Sequence, residues 1–311
     1  MYGKLSLLIL GGALAACASQ PSGESAAPAL RSFPLVAANG DLPAFFDCVR
    51  ENDAMIISAH RGGPVPGYPE NAVETFDHTF SEVPALLEID VQKSADGAFV
   101  LMHDDTLDRT TTGTGEARNL TLSELKELSL VDNDGQETGF HIPTLEEALS
   151  WGNGRTIFAL DRKGDTTYQD LVSEAERAGA LNRVIFATYS LDDAAAVAAL
   201  SPDAMIVVPI EKPEDLDALR SRGVDLNHVI SWGGTEVPMP DFYAQLAAAG
   251  VETAFAPLGW WTGSWDSRIR MLGDDTLYLR ITKGVQLVAT DRSRELAAVA
   301  PGVQKVRACT R

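Results

Sequence analysis

Few folds suit a chain in which short aliphatic runs and amphipathic stretches take turns eight times. Runs rich in β-branched and aliphatic residues occupy 55–60, 86–91, 156–161, 184–189, 204–210, 227–231, 252–256 and 286–290. Helical signals lie between or beside them, at 122–128, 170–178, 192–200, 214–220 and 241–249. This alternation is the pattern of a parallel α/β sheet, and eight repeats of it predict a (β/α)8 barrel. With 311 residues, 45% hydrophobic and 22% charged, the chain can bury one core of that size as a single domain.

A ninth run, 99–103, follows the second too closely for a parallel crossover, which takes a dozen residues or more. It is expected to fold back as a small hairpin inserted after the second strand. Asp96-Gly97 suits a two-residue turn, and pairing Ala95 with Ala98 would then set His103 opposite Asp90.

Barrel enzymes place their chemistry at the C-terminal ends of the strands, and those ends are polar here. The first run closes on His60-Arg61-Gly62-Gly63, the second carries Glu88-Ile89-Asp90, the third closes on Asp161-Arg162-Lys163, and the hairpin on His103-Asp104. Alternation puts Glu88 and Asp90 on one face, where two carboxylates repel unless a cation sits between them. With Asp161 they form an oxygen-ligand set suited to Mg2+ or Ca2+. His60 and His103 then read as an acid and base pair. Arg61 and Lys163 read as positive contacts for a phosphate.

The N-terminus has the anatomy of an export signal. Lys4 precedes an apolar run, 5–16, too short to span a bilayer. The run ends in Leu14-Ala15-Ala16-Cys17, similar to a bacterial lipobox, so residues 1–17 are expected to form a lipoprotein signal with Cys17 lipidated. Residues 18–40, opening on a Ser-, Pro- and Ala-rich stretch, are expected to be a flexible tether, and 41–311 the barrel domain. Such a protein would be anchored in the bacterial cell envelope, with Ala18 pointing to the outer membrane. Cys48 and Cys309 remain, either as a disulfide joining the first and last elements of the barrel or as two separate thiols. With 44 acidic against 25 basic residues, a net charge of -19 argues against nucleic acid as a partner. It leaves room for one small phosphate ligand.

These segments together resemble the glycerophosphodiester phosphodiesterase family: Ala59-His60-Arg61-Gly62, Pro69-Glu70-Asn71-Ala72, Glu88-Ile89-Asp90-Val91 and the stretch from His103 to Thr111. Segments 142–149 and 284–291 are also similar to the family, so the likeness covers nearly the whole mature chain. The resemblance implies metal binding by Glu88, Asp90 and Asp161, acid–base catalysis by His60 and His103, and phosphate contacts from Arg61 and Lys163. It further implies hydrolysis of a small phosphodiester to an alcohol and glycerol 3-phosphate. The chain departs from the family pattern twice. Asp161 stands where a glutamate is common, and a loop holding Trp260, Trp261 and Trp265 replaces a Trp-Thr-Val-Asn-like strand. Two other readings fit the same residues: cleavage of intact phospholipids by a phospholipase C- or D-like enzyme, and a non-catalytic surface-binding lipoprotein.

Overall fold

The computed structural model describes residues 32–259 and 263–310. Cys17 with its signal, tether residues 18–31, and Trp260 and Trp261 lie outside the described residues. In chain order the strands are β1 (Ile56–Ala59), β2 (Ala85–Lys93), β3 (Phe99–Leu101), β4 (Ser129–Val131), β5 (Glu137–His141), β6 (Phe158–Arg162), β7 (Val184–Ala187), β8 (Met205–Pro209), β9 (Val229–Trp232), β10 (Glu252–Phe255) and β11 (Leu287–Thr290). β1, β2 and β6 to β11 pair in parallel, and β1 meets both β2 and β11, so the sheet closes into the expected eight-stranded barrel. Each of the eight strands falls on one of the eight aliphatic runs.

The two faces of each strand do different work. Outward residues such as Leu87, Ile89, Phe158, Leu160 and Phe186 pack under the surrounding helices. Inward residues Ile56, Leu86, Ile185, Met205, Ile230 and Leu287 fill the base of the barrel. Along β2 the inward positions run Leu86, Glu88, Asp90, so one strand passes from an oily base to an acidic mouth.

The helix Leu42–Glu51 stoppers the base. Asp41 caps it, accepting from the Ala44 N–H at 3.0 Å, and Pro43 occupies its first turn. Its apolar stripe, Leu42, Phe45, Phe46 and Val49, joins the interior cluster, with about 1.5–3 kcal/mol gained per large side chain buried. Phe33, Leu35 and Ala37 are buried in the same cluster. The Leu35 N–H donates to the Arg155 carbonyl at 2.9 Å, and Ala37 bridges to Thr310. The tether expected through residue 40 is therefore packed from Phe33 onward, because alternate apolar side chains there have a barrel base to fill. Their spacing was masked by the polar, proline-rich composition around them.

The hairpin after β2 is present with a different register. Val91 pairs with Leu101 and Lys93 with Phe99, and the Met102 N–H donates to the Asp90 carbonyl at 3.0 Å. Met102, not His103, therefore stands opposite Asp90. The turn holds three residues, Ala95 to Gly97, with Gly97 at φ 82°, and the Ser94 hydroxyl binds Asp96 and Ala98. A one-residue change of register exchanges the strand's faces, and His103 sits beyond the strand's end, where that exchange does not bind it. Residues 102–144 continue as a small lobe with β4 and β5 paired antiparallel and its own core of Leu107, Leu125, Leu130 and Ile142.

Cys48 and Cys309 are bonded, with 5.6 Å between their Cα atoms and a sequence separation of 261. The bridge ties the stopper helix to the terminal turn Val306–Cys309, at the seam where the barrel's first and last elements meet. Closing so long a loop removes much denatured-chain entropy. Cys48→Ser is expected to lower unfolding free energy by ~2–5 kcal/mol, with wild type falling to the mutant's value under reductant in denaturant titrations. Equal stability with and without the bridge would contradict this.

Candidate active site

The acidic mouth is built from two neighbouring strands. β2 and β6 align Asp90 with Asp161, and Glu88 lies one inward step below Asp90. Ligand oxygens of Glu88, Asp90 and Asp161 lie within 4.8 Å of one another. Burial, together with the charges of Asp90 and Asp161, pushes Glu88 up to about 8 even though His60 and the Arg61 N–H favour its charged form. A cation between these groups would relieve that repulsion. Three carboxylates with no thiolate or imidazole among them fit a hard divalent ion.

Each carboxylate is held in place by another group. The Asn71 side-chain amide donates to Asp90 Oδ2 at 2.8 Å, and its carbonyl oxygen accepts the Asp90 N–H at 3.1 Å. Asn71 does this from a left-handed backbone, φ 58°, a conformation asparagine tolerates. Glu88 accepts the Arg61 N–H at 2.8 Å. Asp161 accepts from Lys163 Nζ at 2.7 Å and from the Tyr189 hydroxyl. Lys163 Nζ also lies 3.2 Å from Asp90 Oδ1, and those two carboxylates hold it charged against the pull of burial.

The turn after β1 carries both a histidine and an arginine into this space. Arg61 itself has φ 52° and Gly62 φ 84°, and a Cβ on Gly62 would come within 2.4 Å of the Phe76 ring. His60 donates from Nδ1 to Asp291 Oδ1 at 2.7 Å, which leaves Nε2 as the other functional nitrogen. Burial works against the imidazolium, but the Asp291 hydrogen bond and the charges of Glu88 and Asp291 outweigh it, so the His60 pKa is raised. Asp291 is in turn fixed by the Gly259 N–H at 2.9 Å. Behind it, fully buried Asp266 accepts the Asp291 N–H at 2.8 Å and the hydroxyls of Tyr278 and Thr290.

His103 has a carboxylate on the same ring nitrogen, Asp104 Oδ1 at 2.7 Å. Hydrogen bonds from Arg109 hold Asp104 down at about 2, and Arg109 also forks onto Glu70, both contacts at 2.8 Å. Glu70, only 4% exposed, binds Arg61 Nη1 through both oxygens at 2.9 and 3.0 Å. A continuous chain of charge-assisted bonds therefore runs His103–Asp104–Arg109–Glu70–Arg61, with Arg61 Nε 3.7 Å from Asp90.

The seven residues read from the sequence as catalytic, ligating or phosphate-binding thus all belong to this mouth or to the network bracing it. Arg61 was expected to contact phosphate, and its Nη1 is committed to Glu70. Unassigned in the sequence reading were Asn71, Glu70, Arg109, Asp104, Asp291 and Tyr189. The first five lie in segments that carried the family resemblance, and Tyr189 closes the fourth aliphatic run, so strand-end position alone pointed to it. Trp265, from the tryptophan loop, donates to the Glu236 carbonyl at 2.7 Å as part of the helix Trp265–Leu272.

Comparison with known proteins agrees with this geometry. The model of the glycerophosphoryl diester phosphodiesterase family matches residues 60–233, more than half of the chain. A glycerophosphodiester phosphodiesterase of Bacillus subtilis is 28% identical over 179 residues, covering 51% of this chain and 60% of its own length. The chain spans less than two thirds of the length of the curated relatives it matches. The crystal structure of a glycerophosphoryl diester phosphodiesterase from Parabacteroides distasonis superposes with TM-score 0.74 at 29% identity, over 89% of this chain and 95% of that one. An Oleispira antarctica phosphodiesterase in complex with sn-glycerol-3-phosphate shares the fold, with TM-score 0.59 at 20% identity over 82% of this chain and 99% of that one. From the matched motifs, the closed barrel and the acidic mouth, the chain belongs to the glycerophosphoryl diester phosphodiesterase family.

Proposed function

We propose that this protein hydrolyses glycerophosphodiesters to an alcohol and glycerol 3-phosphate, using Mg2+ or Ca2+ held by Glu88, Asp90 and Asp161. The observation that carries this reading is the convergence of those three carboxylates within 4.8 Å, with His60 beside Glu88 and His103 tied to the mouth through Asp104, Arg109, Glu70 and Arg61. The product seen in the Oleispira phosphodiesterase is of the same class. A bound divalent cation would supply Lewis-acid polarisation of a phosphate oxygen and offset the developing negative charge.

The side chains supply the rest. With Nδ1 donating to Asp291, His60 leaves Nε2 as the atom that exchanges a proton, and the raised pKa favours the protonated ring. His103, oriented by Asp104 in the same way, is its counterpart. One ring gives its proton to the departing alkoxide while the other takes one from the attacking nucleophile; if that is water the products form directly, and if it is the substrate's own hydroxyl a cyclic phosphodiester forms that water then opens with the two rings' roles exchanged. Lys163 and the part of Arg61 not committed to Glu70 bring positive charge to the phosphate oxygens. Glu70 and Arg109 hold Arg61 and Asp104 rigid, so that little reorganisation accompanies the reaction.

The N-terminal sequence supports placement on a membrane through a lipidated Cys17, in the cell envelope and by Ala18 in the outer membrane. Among the described residues no helix is long and apolar enough to cross a bilayer.

Three outcomes follow. Release of glycerol 3-phosphate from glycerophosphocholine should require Mg2+ or Ca2+, stop with EDTA, and fall by about 10²–10⁴-fold in His60→Ala and in His103→Ala. No release with either cation, alongside cleavage of intact phospholipid, would move the assignment to a phospholipase. Asp291→Asn removes a group that favours the His60 imidazolium, so the folded His60 pKa should drop and the alkaline limb of the kcat/KM profile should move to lower pH. An unmoved limb would mean that His60 does not donate the critical proton. In cells, Cys17→Ser should shift the protein from the detergent-extracted membrane fraction to the soluble one, whereas unchanged partition would rule out the lipid anchor.

A further inference from the structure

Asp161 is one of the two aspartates of the acidic trio, and one of its two donors is an uncharged side-chain hydroxyl. Its Oδ2 takes Lys163 Nζ at 2.7 Å, and its Oδ1 takes the hydroxyl of Tyr189, which stands just past the end of β7, the strand beside β6. Tyr189 is otherwise open: 55% of it is exposed, and the Arg162 guanidinium lies 6.0 Å from its ring centre. An aromatic side chain that exposed contributes little to the core, yet its hydroxyl is committed to a carboxylate.

The two donors on Asp161 are not equivalent with respect to a cation. Lys163 is shared between Asp90 and Asp161 and brings a full positive charge into the space the three carboxylates define. A divalent ion there competes with that charge. The Tyr189 hydroxyl carries none, and a carboxylate oxygen has a second lone pair, so donation to Oδ1 and cation ligation are compatible. Hydrogen bonds of this kind, made to a ligand rather than to the ion, set the ligand's orientation and basicity.

We infer that Tyr189 is a positioning residue that holds Asp161 in ligating orientation through its hydroxyl, and that it thereby sets the affinity of the site for its divalent cation. The inference rests on the proposed cation site and deepens it. Phenylalanine at this position keeps the ring and its place beside Arg162 and removes only the donor.

The test is direct cation binding to the folded protein lacking residues 1–31, by calorimetric titration of Mg2+ and of Ca2+ into metal-free wild type, Tyr189→Phe, Asp161→Asn and the double variant. Melting temperatures without metal would be measured alongside. Wild type should bind one ion, and Tyr189→Phe should bind it roughly 10-fold more weakly, at the low end of the range for removing a ligand's hydrogen-bond partner, with no change in metal-free melting temperature. In the Asp161→Asn background, Tyr189→Phe should add nothing. In turnover, Tyr189→Phe should raise the cation concentration for half-activity and recover kcat at saturating cation. Affinity equal to wild type overturns the inference while leaving the cation site intact, and an equal loss in both backgrounds overturns the route through Asp161. A wild type that binds neither ion overturns the cation site itself, and this inference with it.

Discussion

Placing three carboxylates within reach of one another at the top of two adjacent strands is the constraint to which the rest of the mouth answers. Left alone they repel and are poorly solvated, as the displaced Glu88 carboxyl records. Lys163 sits between Asp90 and Asp161, Asn71 straps Asp90, the Arg61 backbone serves Glu88, and Tyr189 serves Asp161. These supporting groups come from the turn after β1, the loop after it, and the ends of β6 and β7. The acidic cluster thereby dictates the local backbone, including the left-handed conformations of Arg61 and Asn71. Strain at such positions persists only where the surroundings over-determine it.

A second layer extends outward from that cluster. Glu70 is nearly inaccessible and would be costly to bury unpaired, but two arginines saturate it. Its burial converts two flexible side chains into fixed ones, and through Arg109 it reaches the carboxylate that orients His103. Asp266 plays the matching part behind His60, with three donors converging on one buried carboxylate. Each histidine's carboxylate is therefore braced by a buried acid: Asp291 directly by Asp266, and Asp104 by Glu70 through Arg109.

Much of this was legible in the residues because it is periodic or terminal. The eight strands matched eight aliphatic runs, and alternation alone put Glu88 and Asp90 on the inner face. The hairpin register was not, since Asp96-Gly97 serves two-residue and three-residue turns alike, and the choice fell to Ser94 and Asp96 side-chain bonds. Glu70, Arg109 and Asp291 had no assigned role because the contacts Glu70–Arg61, Arg109–Glu70 and Asp291–His60 span 9, 39 and 231 residues, and the last is made only when the barrel closes. Phe33, Leu35 and Ala37 were hidden for a simpler reason: three alternating apolar residues are too few to stand out beside a polar, proline-rich stretch.

The stopper helix and the terminal turn it is bonded to have an architectural consequence. Both ends of the described chain leave from the same pole, the one opposite the acidic mouth, with Ala37 and Thr310 side by side. Among the described residues, the mouth pole is formed by the segments that follow the strands, including the small lobe at 102–144. An appendage at either terminus, whether an anchor, a domain or a reporter fused by an experimenter, is delivered to the base and leaves the entrance clear. The loops around the entrance can in turn lengthen or shorten without disturbing how the molecule is attached to anything else.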